Sequence, residues 1–225
     1  MIYLKYRKLK KYIMKLYTFS KAPSPLRLYY FMKEKEIEID YQIIDMISLE
    51  HKSDEFKKIN PDCTLPTLIL DDGTVLCEVI AICNYLEEKY PKIPLLGKSA
   101  IEKALIVEWD HKIEVQLYNA IAEVFRNQGD VFKNRALPGK IALRQIPELI
   151  ERGKVRTLSF YETLDNQLNN QQFIAGEEFS LADISAFTSI NFARWVKLYV
   201  SDEFKNIHRW LAEIMKKPSM KKPDF

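Results

Sequence analysis

The sequence is poor in the residues that build disulfide scaffolds and metal centres. Its 225 residues include three cysteines and three histidines. Cys63, Cys77 and Cys83 are odd in number and form no Cys-x-x-Cys pair. A disulfide framework and a cysteine-rich zinc site are therefore excluded, no metal is expected, and a reducing cytoplasm is the expected compartment. Only six residues are glycine, which argues against a glycine-rich sandwich or a disordered chain. No apolar run approaches the ~20 residues of a membrane span. The stretch Met14 to Phe19 alternates with polar residues and is shorter than the roughly 7–15 apolar residues of a secretory signal. No membrane partner is therefore expected, and with a net charge of only +3 no nucleic-acid partner is expected either.

What is present is apolar and helix-prone. Hydrophobic residues make up 47% of the chain and charged residues 29%, enough for a real core. At roughly 100–200 residues per domain, one large or two small domains are expected. Charge is uneven along the chain. Residues 1–13 carry Lys5, Arg7, Lys8, Lys10 and Lys11 and no acid. Such an arm has the charge to bind RNA or anionic lipid. Termini are usually poorly ordered, however, and the expectation is a basic extension or an upstream start ahead of Met14.

From Met14 the pattern switches between two periods. Lys15 to Phe19 alternates as a strand. After Pro23 and Pro25, Leu26, Tyr29, Tyr30 and Lys33 recur at helical spacing, with Ser24 expected as the N-cap and Pro25 as the first helical residue. Ile37 to Ile44 reads as a second strand, and Ser53 caps a short helix closed by Asn60-Pro61. Thr67 to Leu70 and Thr74 to Cys77 flank Asp71-Asp72-Gly73, a hairpin signal. Glu78 opens a helix with the apolar stripe Val79, Ile82, Cys83, Leu86 and Tyr90, stopped by Pro91. Beyond a linker at 92–98, helical patterns run through about 99–127, 141–170, 181–198 and 204–217. Ser180 and Asp183 stand at capping-box spacing.

This order, β-α-β-α-β-β-α and then helices alone, resembles that of the glutathione S-transferases. The matching residues are Lys15-Leu16-Tyr17, Ile59-Asn60-Pro61, Leu65-Pro66-Thr67-Leu68, Asp72-Gly73-Thr74 and Ala81-Ile82-Cys83-Asn84-Tyr85-Leu86. In the second half they are Ile174-Ala175-Gly176 and Phe179-Ser180-Leu181-Ala182-Asp183. The resemblance, closest to bacterial cytosolic members, implies an α/β thioredoxin-like N-terminal domain at 14–91. An all-α helical-bundle C-terminal domain follows at 99–225.

It also implies a site. The loop before a cis-proline holds the cysteinyl part of glutathione through backbone, which points to Thr64, Leu65 and Pro66. Glu78 matches the residue that holds the γ-glutamyl end, while Val79 replaces the usual serine. His51 and Lys52 stand where a basic residue meets the glycyl carboxylate. The thiol donor is expected after the first strand, at Ser24 or Ser20, with Thr18 a further candidate. Tyr17 and Cys63 are read as core and loop residues. Tyr118 and Arg194 are candidates for the acceptor pocket, with Trp109, Phe125 and Trp195 behind them. Asp110 is a weaker candidate for a partner subunit's γ-glutamyl amine.

The expected activity is attack of the glutathione thiolate on a small electrophile, or glutathione-dependent reduction of a hydroperoxide. Glutathione is the co-substrate, and the protein is expected to be a homodimer. The alternative is a non-catalytic binding or regulatory module of the same fold that grips a protein partner.

Overall fold

Alternation along Lys15-Leu16-Tyr17-Thr18 sends neighbouring side chains to opposite faces of a sheet. In the computed structural model, which describes residues 14–221 and 223, those faces meet two separate cores. Leu16 enters a large apolar cluster with Leu28, Phe31, Leu68, Ile82 and Leu86. Tyr17 packs on the other side with Ile44 and Phe56. The basic arm at 1–13 lies outside the described residues.

The first part of the chain runs β1 (Lys15–Thr18), α1 (Pro23–Glu34), β2 (Asp40–Ile43), α2 (Asp54–Lys57), β3 (Thr67–Ile69), β4 (Val75–Leu76) and α3 (Val79–Lys89). The four strands form one sheet in the order β2-β1-β3-β4. β1 and β2 are parallel, and the other two pairings are antiparallel. At the β3–β4 turn the Leu70 N–H donates to Thr74 O at 2.8 Å, and Gly73 adopts a φ of +90° that its missing Cβ permits. The Leu65–Pro66 peptide bond is cis.

Helices follow: α4 (Ala100–Lys112), a π-helical stretch at Ile113–Tyr118, α5 (Asn119–Asn127), α6 (Glu148–Leu168), α7 (Leu181–Ala193) and α8 (Lys205–Ile214). α7 is buried all round apart from Asn191, as expected of a helix apolar on every face. Its Thr188 and Ser189 hydroxyls are satisfied by carbonyls one turn back, Ile184 O and Ser185 O. α5 and α6 pack closely because Gly153 has no side chain. A Cβ there would stand 2.5 Å from the Ala120 carbonyl oxygen.

Two sequence expectations shift. α1 begins at Pro23, with Ala22 as its N-cap, so Ser24 lies inside the first turn and caps nothing. First-turn N–H groups have no helical partner, so the turn accepts both Pro23 and Pro25, and the helix starts at the earlier one. The helix expected from about 141 starts only at Glu148. Pro147 disfavours helical backbone at Ile146, and 128–147 becomes a long connection.

The two parts share the large core. Glu87 of α3 organises the segment between them. Its carboxylate takes the Lys35 ammonium at 2.6 Å and the N–H groups of Leu95 and Leu96, each at 2.9 Å. Leu95 O in turn accepts the Leu181 N–H at the start of α7. Among the described residues no helix is long and apolar enough to cross a membrane.

Candidate active site

Asn60 shapes the loop that leads into β3. It is fully buried. Its Nδ2 donates to Thr64 O (3.0 Å), Thr64 Oγ1 (3.1 Å) and Thr67 Oγ1 (3.0 Å), while its Oδ1 accepts the Asp62 N–H. Cys63 is buried inside this loop at a φ of +57°. Leu65 is half-buried at its end. Among the described residues, Leu65 makes no backbone hydrogen bond to the protein. An unpaired backbone at a strand entrance is a place where an extended ligand adds itself by main-chain bonds.

α3 starts just after β4. Glu78 is its N-cap residue, is exposed, and makes no capping bond through its side chain. The first N–H groups of the helix therefore stay open toward solvent, and the helix end favours an anion there. Val79 is buried in the large core, so its side chain serves packing and only its backbone N–H remains for a ligand. Cys77, one residue before Glu78, has its thiol pushed up by partial burial and by Asp62 and Glu78. Burial also pushes the Cys83 thiol up strongly. Neither is prepared to act as a nucleophile.

The first turn of α1 brings Ser24 against the helical part. Ser24 Oγ and the Tyr118 hydroxyl share a hydrogen bond of 3.1 Å. Burial pushes the Tyr118 phenol up, with the Ser24 bond opposing it. The pair thus remains two protonated hydroxyls at neutral pH. Ser20 lies in the turn between β1 and α1, half-buried, and its hydroxyl has no hydrogen-bond partner among the described residues.

His51 sits in a single helical turn, Glu50–Lys52, ahead of α2. It is only 6% exposed, and its Nδ1 has no partner. Burial lowers its pKa first, and Lys52, Arg135 and Arg126 lower it further. The imidazole is therefore neutral at pH 7 and surrounded by cations. Arg126 ends α5, and Arg135 lies in the 128–147 connection. That connection also reaches the Asn60 loop, where Lys140 Nζ meets Asp62 Oδ1 at 2.9 Å.

The remaining candidates separate. Tyr118 joins an aromatic cluster with Phe192 and, through it, Phe125 and Trp195. Arg194 does not join this group. It lines a small cavity of about 140 Å³ with Ile190, Tyr199 and His208, walled entirely by the helical part. Trp195, its neighbour in the 3₁₀ turn Arg194–Val196 after α7, packs on Phe125 and Phe192 instead. Trp109 is buried in the large core, which removes it as a pocket wall. Asp110 is buried too. It holds Arg27 through both oxygens at 2.9 Å and accepts the Ser185 hydroxyl at 2.6 Å, so it is unavailable to another subunit. Burial pulls the Arg27 guanidinium down, but Asp110 and Glu114 outweigh it and raise the net value.

Asn60, Arg126 and Arg135 escape the sequence reading. Asn60-Pro61 carries a signal, as a helix stop and as part of the family match, but neither shows its part in shaping the loop. The two arginines belong to a helix end and a loop whose place over the first domain no local pattern reveals.

The comparisons agree with this architecture. The family described as glutathione S-transferase, N-terminal domain, matches residues 23–89, and its C-terminal domain family matches 139–218. Glutathione S-transferase 2 of Saccharomyces cerevisiae is 30% identical over 212 residues, which is 92% of this chain and 88% of the yeast protein. The crystal structure of a glutathione S-transferase domain-containing protein from Marinobacter aquaeolei VT8 matches with a TM-score of 0.85 at 28% identity, over 92% of this chain and 100% of that one. Gtt2 from Saccharomyces cerevisiae matches at 0.83 and 29%, over 92% and 99%. With both domain families matched in order, and a yeast relative aligned over nearly the whole chain, this protein belongs to the glutathione S-transferase family and is an enzyme.

Proposed function

We propose that the cleft between the Asn60 loop, α3 and α1 binds glutathione and presents its thiolate to small electrophiles or hydroperoxides. Leu65, with Thr64 and Pro66 beside it, pairs the cysteinyl backbone as an extra strand. Glu78 takes the γ-glutamyl ammonium, and the Val79 N–H at the head of α3 takes the neighbouring carboxylate. His51 and Lys52 receive the glycyl carboxylate. The Ser24 hydroxyl, backed by Tyr118, donates to the sulfur, with Ser20 as the second donor in reach of the same turn. A free thiol titrates near 8.5, and a hydrogen bond to the charged form lowers that value. The sulfur then displaces a leaving group from carbon. With a hydroperoxide, two thiols yield a disulfide, an alcohol and water.

One observation carries this reading. The backbone of Leu65 and the first N–H groups of α3 are open in the same region of the chain, which otherwise satisfies its buried polar atoms with few exceptions. Family membership supports the same ligand. By the same resemblance the working form is a homodimer, and three free cysteines suit a reducing cytoplasm.

Retention on immobilised glutathione and turnover of 1-chloro-2,4-dinitrobenzene or cumene hydroperoxide test the proposal. Glu78→Gln is expected to raise KM for glutathione roughly tenfold, the size of a lost charge-assisted bond. Thermal unfolding should be unchanged, because Glu78 is exposed and caps nothing. No retention and no turnover would end this reading.

A further inference from the structure

Arg126 is a cation without a carboxylate. Among the described residues its guanidinium forms no ion pair. Its one hydrogen bond to protein runs from Nη1 to the Arg135 carbonyl at 3.1 Å. Glu123, one turn back, is already held by Arg152 and Arg156. Arg126 lies over the Phe132 ring at 5.1 Å, and Arg135 over the same ring at 5.9 Å. Arg135 donates to Val131 O and likewise has no carboxylate among the described residues.

The surroundings are aromatic. Phe132 meets Phe125 at 4.7 Å between ring centroids, and Phe125 meets Trp195 at 5.5 Å and Phe192 at 5.2 Å. Phe192 meets Tyr118, which holds Ser24. An unbroken series of contacts therefore runs from the expected position of the sulfur to the two arginines. Trp195 is 49% exposed, so the wall is open to a ligand at that edge, while Phe192 is buried behind it. The connection that carries Arg135 is fixed at its base. Gln145 Nε2 donates to Arg126 O and Gly129 O, each at 2.9 Å, and the Ile146 N–H donates to Asn127 Oδ1 at 2.8 Å.

A half-buried guanidinium is costly without an anion, and burial does pull the Arg126 pKa down. Glu123, the acidic residue one turn before Arg126, is spoken for by the α6 arginines.

We propose that Arg126 and Arg135, set over Phe132 at the end of this aromatic wall, form the anion-recognising end of the acceptor site, and that the enzyme prefers electrophiles carrying a carboxylate on an aromatic body. This rests on the glutathione-transfer reading above and adds the class of acceptor. A planar guanidinium binds a carboxylate through two parallel bonds, and the rings stack on the body that bears it. In the step itself the glutathione sulfur forms a C–S bond at the halogen-bearing carbon. The C–Cl bond breaks, chloride leaves with the electron pair, and the thiol proton goes to solvent.

The test compares 4-chloro-3,5-dinitrobenzoate with 1-chloro-2,4-dinitrobenzene. The ratio of their kcat/KM values is expected to fall roughly tenfold in Arg126→Gln, with a smaller fall in Arg135→Gln and partial recovery in Arg126→Lys. An unchanged ratio in Arg126→Gln overturns the proposal. So does a rise in KM for glutathione with the ratio unchanged, because Arg126 then reads the carboxylate of glutathione itself. A ratio that falls in Arg194→Gln instead also overturns it. If neither chloride is turned over, the glutathione-transfer reading fails and binding alone decides the inference. Titration calorimetry with unreactive 3,5-dinitrobenzoate against 1,3-dinitrobenzene must then show the acid bound more tightly by the wild type, and that preference lost in Arg126→Gln. Equal binding of both compounds rejects it.

Discussion

Asp183 is fully buried and the Ser24–Tyr118 pair half-buried, and the two polar sites are completed in different ways. The Asp183 carboxylate, at the start of α7, accepts the N–H groups of Ile174 and Ser180, the Ser180 hydroxyl and the Trp210 indole N–H. Every donor aimed at it comes from the protein, and the group ties together the 173–176 turn, α7 and α8. In the proposed cleft, by contrast, the Leu65 backbone, the head of α3 and His51 Nδ1 have no partner among the described residues, and Arg126 has no carboxylate there. A polar group that the fold completes serves the fold. One left incomplete costs stability according to its burial, and a bound substrate is the natural reason to keep it.

The largest effect should fall on the completed side. Asp183→Ala orphans four buried donors and is expected to cost about 3–5 kcal/mol, at the upper end for a buried charged network. At roughly 2–4 °C per kcal/mol for a chain of this size, the melting temperature should drop by about 10 °C. Spacing alone suggests a helix cap worth roughly 0.5–2 kcal/mol. The difference comes from Trp210 and Ile174, which lie far from Asp183 in sequence. Unfolding unchanged from wild type would remove the contrast between the two sites.

The same divide governs what the sequence discloses. Strand alternation, the Asp72-Gly73 turn, the Ser53 cap and the Ser180–Asp183 box are local patterns, and each appears in the structure close to where its pattern stands. Leu65, Pro66 and Glu78 are named by the family resemblance, whose matching residues lie in or beside such patterns. The cleft's other wall is not local. Tyr118 reaches Ser24 across 94 positions of chain, and Lys140 reaches Asp62 across 78. Arg194 suits the acceptor pocket in sequence as a cation, yet it lines a separate small cavity while its neighbour Trp195 packs on Phe125 and Phe192. Arg126 is an ordinary last-turn helix arginine until the 128–147 connection folds over it.

A smaller effect, on rate and not on folding, is expected in the cleft. Ser24→Ala should lower kcat/KM for chlorodinitrobenzene by roughly tenfold, as for one lost hydrogen bond to a charged group. Tyr118→Phe should lower it less, because Tyr118 acts through Ser24. In the double variant the losses should not add, since the two hydroxyls form one unit. The bound glutathione thiol, followed by its thiolate absorbance near 240 nm, should titrate higher in Ser24→Ala. If its titration does not move, Ser24 is a packing residue and Ser20→Ala becomes the decisive variant.

The smallest effect concerns pH, and it separates the two regions by sign. Burial pushes the Asp183 carboxyl up to about 6, against the pull of its four hydrogen bonds. The native state then holds its proton more tightly than the unfolded chain. This contribution to stability is complete below the unfolded value near 4 and is lost as pH rises toward 6. His51 runs the other way. Its pKa is lowered in the fold, first by burial and then by Lys52, Arg135 and Arg126. Its contribution is present above the unfolded value near 6.5 and is lost as pH falls through the folded one. Asp183→Asn should therefore flatten the fall in stability between about pH 4 and 6, and His51→Gln should flatten the loss on the acid side of 6.5. Ligand separates them further. An anion seated against His51 Nδ1 favours the charged imidazole, so saturating glutathione should raise its titration point while leaving Asp183, sealed in the helical core, where it was. Imidazole proton shifts followed by NMR with and without glutathione measure this directly. A His51 titration that ignores glutathione would mean that its empty Nδ1 belongs to the fold after all, and that the glycyl carboxylate rests on Lys52 alone.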